Sequence, residues 1–183
     1  NIDLSRLDEY TLEAGRPDTI TAEKLLCAKD GGVNRISINP QTMNDVTLEK
    51  IGRRHTAEDF RTAFKLARSL GFDNINTDLI AGLPGEDFAM FKKSIDEIAA
   101  LAPEDITVHS MCIKRAAALR FSQSDLTGFE EMNRMLDYAQ SKMSEIGKEP
   151  YYMYRQKNIS GNLENVGYSD SDHMSAYNIN LRE

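Results

Sequence analysis

The sequence predicts an α/β fold in which parallel strands alternate with helices, as a partial barrel or a doubly wound sheet. Three observations predict it. Short β-forming runs alternate with longer amphipathic ones. Several helical runs open on a capping side chain and close at glycine or proline. Four successive strands carry one polar and one apolar face. Strand, helix, strand, helix implies parallel neighbours joined by right-handed crossovers. A complete eight-unit barrel takes about 250 residues. With 183 residues this chain makes at most a partial one.

The elements follow in order. Five segments read as strands: EYTLEA (9–14), NRISIN (34–39), NINTDLIAG (74–82), DITVHSM (105–111) and YYMYR (151–155). The first helix, TAEKLLCAKDGG, starts at Thr21 as N-cap and stops at Gly31–Gly32. Cys27 on this helix is expected in the core. A short helix, NDVTLEKIG, puts Leu48 and Ile51 on one side. The next opens at Thr56 with Asp59 near the positive end of the helix dipole, and Gly71 ends it. Its Phe60, Ala63, Phe64, Ala67 and Leu70 form one apolar stripe. DFAMFKKSIDEIAALAP repeats the scheme with Phe88, Phe91, Ile95 and Ile98 before Pro103. The last helix, roughly 128–146, aligns Phe129, Met132, Leu136, Ala139, Met143 and Ile146. The tail from Lys157, rich in Asn, Ser and Gly, reads as loop.

Composition narrows the function classes. Forty per cent hydrophobic residues suffice for a real core. With 22 basic and 29 acidic residues the net charge is −7, which argues against a general nucleic-acid binder. No apolar run is long enough to span a bilayer, and no signal-peptide pattern opens the chain. Cys27 and Cys112 are the only cysteines, too few for a disulfide framework or a four-ligand metal site. A reduced, cytoplasmic setting is the plain reading. A start at NIDLSRL without Met suggests a chain cut from something longer.

Side chains alternate along a strand. Arg35, Ser37, Asn39 and Gln41 therefore share one face, as do Asn76 and Asp78, Thr11 and Glu13, and Thr107 and His109. Strands covered by helices on both sides should be apolar on both, so a polar face in four successive strands implies either a polar interior or an exposed face of a partial sheet. Glu13, Gln41 and Asp78 fall near the C-terminal strand ends, where ligands bind in parallel α/β folds. Read alone, Glu13 and Gln41 are ordinary polar filling, Asp78 could pair with Arg53 or cap a turn, and His109 is a hydrogen-bonded interior histidine. Gly82–Leu83–Pro84–Gly85 suits a tight turn behind the third strand.

The segments EYTLEAGRPDTIT, NRISINPQTMND, IGRRHT, DNINTDLIAGLPGE and PYYMYRQKNISGNLENVGY, in this order, resemble the oxygen-independent coproporphyrinogen III oxidase family of radical S-adenosylmethionine proteins. The resemblance is strongest to its Gram-positive branch, coproporphyrinogen dehydrogenase. It implies a partial radical SAM (β/α) barrel over residues 1–150, with 151–183 as the last strand and the start of a family-specific C-terminal region. It implies S-adenosylmethionine and a [4Fe–4S] cluster as cofactors. The implied reaction converts coproporphyrinogen III propionates to vinyl groups in haem biosynthesis, with a porphyrinogen substrate and an electron donor as partners. Position by position, Glu13, Gln41, Arg53, Asp78 and Cys112 match the family's S-adenosylmethionine contacts. For the tetracarboxylate substrate, Lys114, Arg115, Arg120 and Arg155 are the candidate cations, with Lys157 a further possibility. Some relatives keep the barrel but act as haem chaperones.

The sequence also departs from the family. It has no Cys-x-x-x-Cys-x-x-Cys loop and no glycine-rich segment before EYTLEAG; both are expected upstream of residue 1. The 183 residues alone are thus expected to be inactive, with neither catalytic residues nor metal ligands of their own. YSDSDHMSAYN stands where relatives tend to show a Pro-Gly turn and an acidic residue. An unpaired edge along EYTLEA is expected to favour self-association.

Overall fold

The structure is a computed structural model and describes residues 7–111, 127–154 and 164–181. Its elements are β1 (Thr11–Gly15), a 3₁₀ turn (Pro17–Thr19), α1 (Ala22–Asp30), β2 (Arg35–Ile38), α2 (Asp45–Lys50), α3 (Ala57–Ser69), β3 (Ile75–Ala81), α4 (Phe88–Leu101) and β4 (Asp105–Ser110). They continue with α5 (Phe129–Glu145), β5 (Glu149–Tyr154), β6 (Asn165–Ser169) and α6 (Ala176–Leu181). The strands form one open sheet in the order β1-β2-β3-β4-β6-β5. β1 to β4 run parallel, while β6 is antiparallel to both β4 and β5. This is the partial barrel the alternation predicts, closed by no further pairing among the described residues.

Two expectations are corrected. The tail is not simply loop: β6 inserts between β4 and β5, and α6 follows it. Asn165 and Gly167, which read as irregular, both have a place in β6: Asn165 Oδ1 accepts from the Ser110 amide at 2.8 Å, and Gly167 is demanded by packing. A Cβ at Gly167 would lie 2.0 Å from the Tyr152 ring, so only glycine lets that ring lie across β6. The second correction is Cys27, which is exposed rather than core. Leu25 supplies the buried position of α1, and Cys27 lines a groove between α1 and β1 together with Leu12, Ala14 and Ile20.

The outer face of the sheet is the hydrophobic core. Ile36, Ile38, Ile75, Leu79, Ile106 and Val108 pack against Phe60, Phe64, Phe91, Ile95, Ile98, Met135 and Met143. The stripe of α5 is the expected one in Met132, Ala139 and Met143, which are buried, and in Leu136 and Ile146, which pack against the core; Met135 joins it and Phe129 is exposed. On the inner face the register lines polar residues into a row. Glu13 pairs with Ser37, Ser37 with Asn76, and Asn76 with Asp105, so one polar row crosses four strands. No helix among the described residues is long and apolar enough to cross a membrane.

Local signals fix the helix ends as read. The Thr21 hydroxyl accepts from the Lys24 amide, and Thr56 and Asp59 form a complete capping box. The turn after β3 places Gly82 and Gly85 at φ of 80° and 83°, conformations that favour glycine. Hydrogen bonds from the Thr56 backbone and hydroxyl hold the Asp59 carboxyl below its ordinary value of 3.8. A depressed carboxyl contributes stability above its ordinary pKa and loses it as pH falls through the lower, folded-state value. Thr56→Ala should therefore cost about 1 kcal/mol in urea unfolding at pH 7, and the gap from the parent should narrow in unfolding curves taken well below pH 3.8.

Candidate functional site

The inner face of the sheet bounds a cavity of about 590 Å³. Glu13, Arg35, Asn76, Asp78, Thr107 and His109 reach it from β1 to β4, joined by Tyr152 of β5 and Asn178 of α6. The alternation read from the sequence thus converges on one space. That space has two ends with different chemistry.

The floor, at the N-terminal ends of the parallel strands, is occupied by internal bonds. Arg35 Nη2 lies 2.5 Å from Asp105 Oδ2, both side chains being almost fully buried. The Tyr151 hydroxyl donates to the same carboxylate oxygen at 2.7 Å, and Asn178 Nδ2 donates to Tyr151 at 2.9 Å. Burial pushes the Asp105 carboxyl up to about 6, against the opposing pull of Arg35 and Tyr151. Glu9 fastens the start of α6, accepting from the Ser175 hydroxyl at 3.0 Å and the Ala176 amide at 2.8 Å. The α6 helix is thus a plug held by side chains of the barrel floor.

Toward the C-terminal ends the cavity is acidic. Asn76 Nδ2 donates to Asp78 Oδ1 at 2.9 Å and to Ser37 at 3.0 Å. Asp78 Oδ2 faces His109 Nε2 at 3.6 Å, beyond ordinary hydrogen-bond length. His109 is therefore a half-buried cavity residue beside Asp78, and it stands where an Arg53 pairing with Asp78 was one of the readings. Glu13 reaches solvent from the edge strand, yet burial first and the Asp78 charge second raise its carboxyl above 4.5, with Ser37 and Arg35 opposing.

Other predicted residues lie apart. Gln41, with φ of 69°, is joined by backbone bonds to β3, its N–H donating to Asp78 O at 3.1 Å and its carbonyl accepting from Ile80 N at 2.9 Å. Arg53 is half-buried just beyond α2, its N–H donating to Leu48 O at 2.8 Å. Neither is among the described lining residues of the cavity. Cys112, Lys114, Arg115, Arg120, Arg155 and Lys157 lie outside the described residues. Glu9, Asp105, Tyr152 and the α6 residues also line or floor the cavity, beyond the residues the sequence predicts. Glu9 shares the parity of Thr11 and Glu13, a signal that was available; α6 offers none.

Residues 9–98 match the Radical SAM superfamily. These residues form a radical SAM domain. The chain is 47% identical over 183 residues to the oxygen-independent coproporphyrinogen-III oxidase-like protein HemZ of Bacillus subtilis, covering 99% of this chain and 36% of the relative. It is 37% identical over 151 residues to the heme chaperone HemW of the same organism, covering 80% of this chain and 40% of that one. The chain thus spans well under half the length of these relatives. Its fold matches the Escherichia coli radical SAM enzyme coproporphyrinogen III oxidase (HemN) with a TM-score of 0.73 at 21% identity, over 88% of this chain and 35% of that one. The family resemblance read from the sequence is borne out.

The superfamily's two groups fit these residues differently. Acidic acceptors with unsaturated oxygens suit the hydroxyls and positive centres of S-adenosylmethionine. An iron–sulfur cluster finds no fit: among the described residues no group of three or more His, Cys, Asp or Glu could hold a metal ion. The floor supplies a separate test. Arg35→Met would leave Asp105 buried without its cation and should cost about 3–5 kcal/mol in urea unfolding. Arg35→Met combined with Asp105→Leu should recover most of that loss.

Proposed function

We propose that this chain is the part of a radical SAM oxidoreductase that holds S-adenosylmethionine. In the whole protein we propose oxidative decarboxylation of coproporphyrinogen III propionates to vinyl groups, giving protoporphyrinogen IX in porphyrin biosynthesis. The observation that carries this is the meeting of Glu13 and Asp78 in one acidic cavity on the inner face of the sheet. Arg35 adds little free positive charge there, because Asp105 neutralises it at 2.5 Å. Such a cavity favours a cation and repels a tetracarboxylate.

S-adenosylmethionine, when bound, supplies the hydrogen-abstracting group of this enzyme class. Asp78 and Glu13 accept from its hydroxyls and ammonium group, and Gln41, Arg53 and Cys112 are the remaining proposed contacts. The Arg53 guanidinium suits a carboxylate, to which it donates in a fixed fork. The propionates of the substrate fall to Lys114, Arg115, Arg120 and Arg155. An electron donor acts on the whole protein. A second reading, haem binding without oxidase activity, is favoured by the 37% identity to a heme chaperone.

Assays on the full-length protein separate these. A vinyl product with release of 5′-deoxyadenosine supports the oxidase; haem transfer with no vinyl product rejects it. Neutralising Lys114 and Arg115 there should raise the KM for porphyrinogen. Glu13→Gln and Asp78→Asn should each weaken S-adenosylmethionine binding about tenfold or more, as loss of a charged hydrogen bond implies. The linkage has a sign. A cation beside Glu13 lowers its raised carboxyl, so binding releases protons and tightens as pH rises from the bound-state value through that raised value. Calorimetry in buffers of different ionisation enthalpy reads this release, and proton uptake would contradict it.

A further inference from the structure

Glu86 is almost fully buried at the end of the turn that follows β3. It is a charged group that the proposed chemistry does not use. Its Oε1 accepts from the Thr42 hydroxyl at 2.5 Å and from Asn44 Nδ2 at 2.9 Å, short bonds of the charge-assisted kind. Ser94 of α4 completes the knot: its hydroxyl lies 3.2 Å from that of Thr42 and accepts from the Met43 amide at 3.0 Å. Thr42, Met43 and Asn44 are the three residues directly after Gln41. Gln41 itself is one of two non-glycine residues with positive φ among those described. A left-handed conformation at a non-glycine residue persists only when its surroundings over-determine it. One side of that constraint is the backbone bridge from Gln41 to β3. The other side is the Glu86 knot.

We propose that Glu86 is a positioning residue. Its carboxylate staples the loop after β2 to the loop after β3, holds the left-handed turn at Gln41, and so presents the Gln41 side chain to S-adenosylmethionine. The last step rests on the proposed function; the staple itself does not. The staple explains why an acidic side chain sits beneath two loops at the C-terminal strand ends, with α4 packed under it. Burial raises the Glu86 carboxyl above 4.5 against hydrogen bonds from Thr42, Asn44 and Thr47, so the site carries a desolvation cost that a merely space-filling residue would avoid.

Two measurements test it. In amide hydrogen exchange of this chain, Glu86→Gln should lower protection at Gln41 and Ile80 about tenfold, because those amides form the bridge to β3. The amide of Ile36, bonded to Asn74 at the other end of β2, should keep the parent's protection. Thr42→Val should reproduce this pattern and Thr42→Ser should restore it. Thr42→Val also decides the matter if Glu86→Gln does not fold. In the full-length protein, S-adenosylmethionine titration should show about a tenfold higher Kd for Glu86→Gln. A uniform loss of protection, or none, overturns the staple. Selective loss with an unchanged Kd overturns the link to the ligand. No S-adenosylmethionine binding by the parent protein overturns the proposed function and that link together, while the exchange pattern still judges the staple.

Discussion

The ion pair between Arg35 and Asp105 joins β2 to β4 over the top of β3. Adjacent strands lie about 4.8 Å apart, so a side-chain bridge that skips a strand must cross the inner face. It ties the first residues of β2 and β4 together on the face that also carries Asn76, the register partner of Asp105. That is the face from which Glu13 and Asp78 reach the cavity. The pair is expensive in isolation, since Arg35 Nε and Asp105 Oδ1 are buried without partners. Specific geometry, rather than net stability, is what such an arrangement offers.

The same constraint divides the cavity by function. At the floor most strong donors are matched to acceptors: one guanidinium nitrogen to a carboxylate, a phenol to the same carboxylate, and the first amide of α6 to Glu9. A ligand would have to break these bonds to enter. Higher up, among the described residues, Asp78 Oδ2 faces an imidazole at 3.6 Å, and Glu13 carries a partly desolvated carboxyl on the edge strand. Unsatisfied acceptors of one sign in one place define where a cationic ligand gains most.

How much of this was legible follows from the range of the signal. Alternation along a strand is local, so the polar faces of β1 to β4 were readable, as were the caps at Thr21 and Thr56. The partner of Arg35 was not, because Asp105 lies seventy positions away at the first residue of its strand. The α6 plug was hidden for a related reason. It is six residues long and its start is fixed by Glu9 at the far end of the chain. Residue pattern could not expose β6 either, because its glycine answers to the Tyr152 ring on a neighbouring strand. Cys27 shows the converse error: a helix with one buried leucine has an apolar stripe too narrow to carry a second residue inward.

Gln41 and Glu86 extend this logic from fold to site. β2 ends at Ile38, three residues short of Gln41, yet the chain returns to pair with β3 at that one position. An isolated bridge of this kind supplies two backbone bonds, too few by themselves to hold a conformation that most residues avoid. The loop must be gripped from beyond, and the only buried carboxylate in contact with its next residues is Glu86 among those described. His55 grips the other flank, its Nε2 lying 3.2 Å from the carbonyl of Pro40. The strained residue is thus bracketed on both sides, in a loop at the C-terminal end of the parallel strands. Bracketing of strain at that end of such a sheet is what a site requires when its geometry must exist before the ligand arrives.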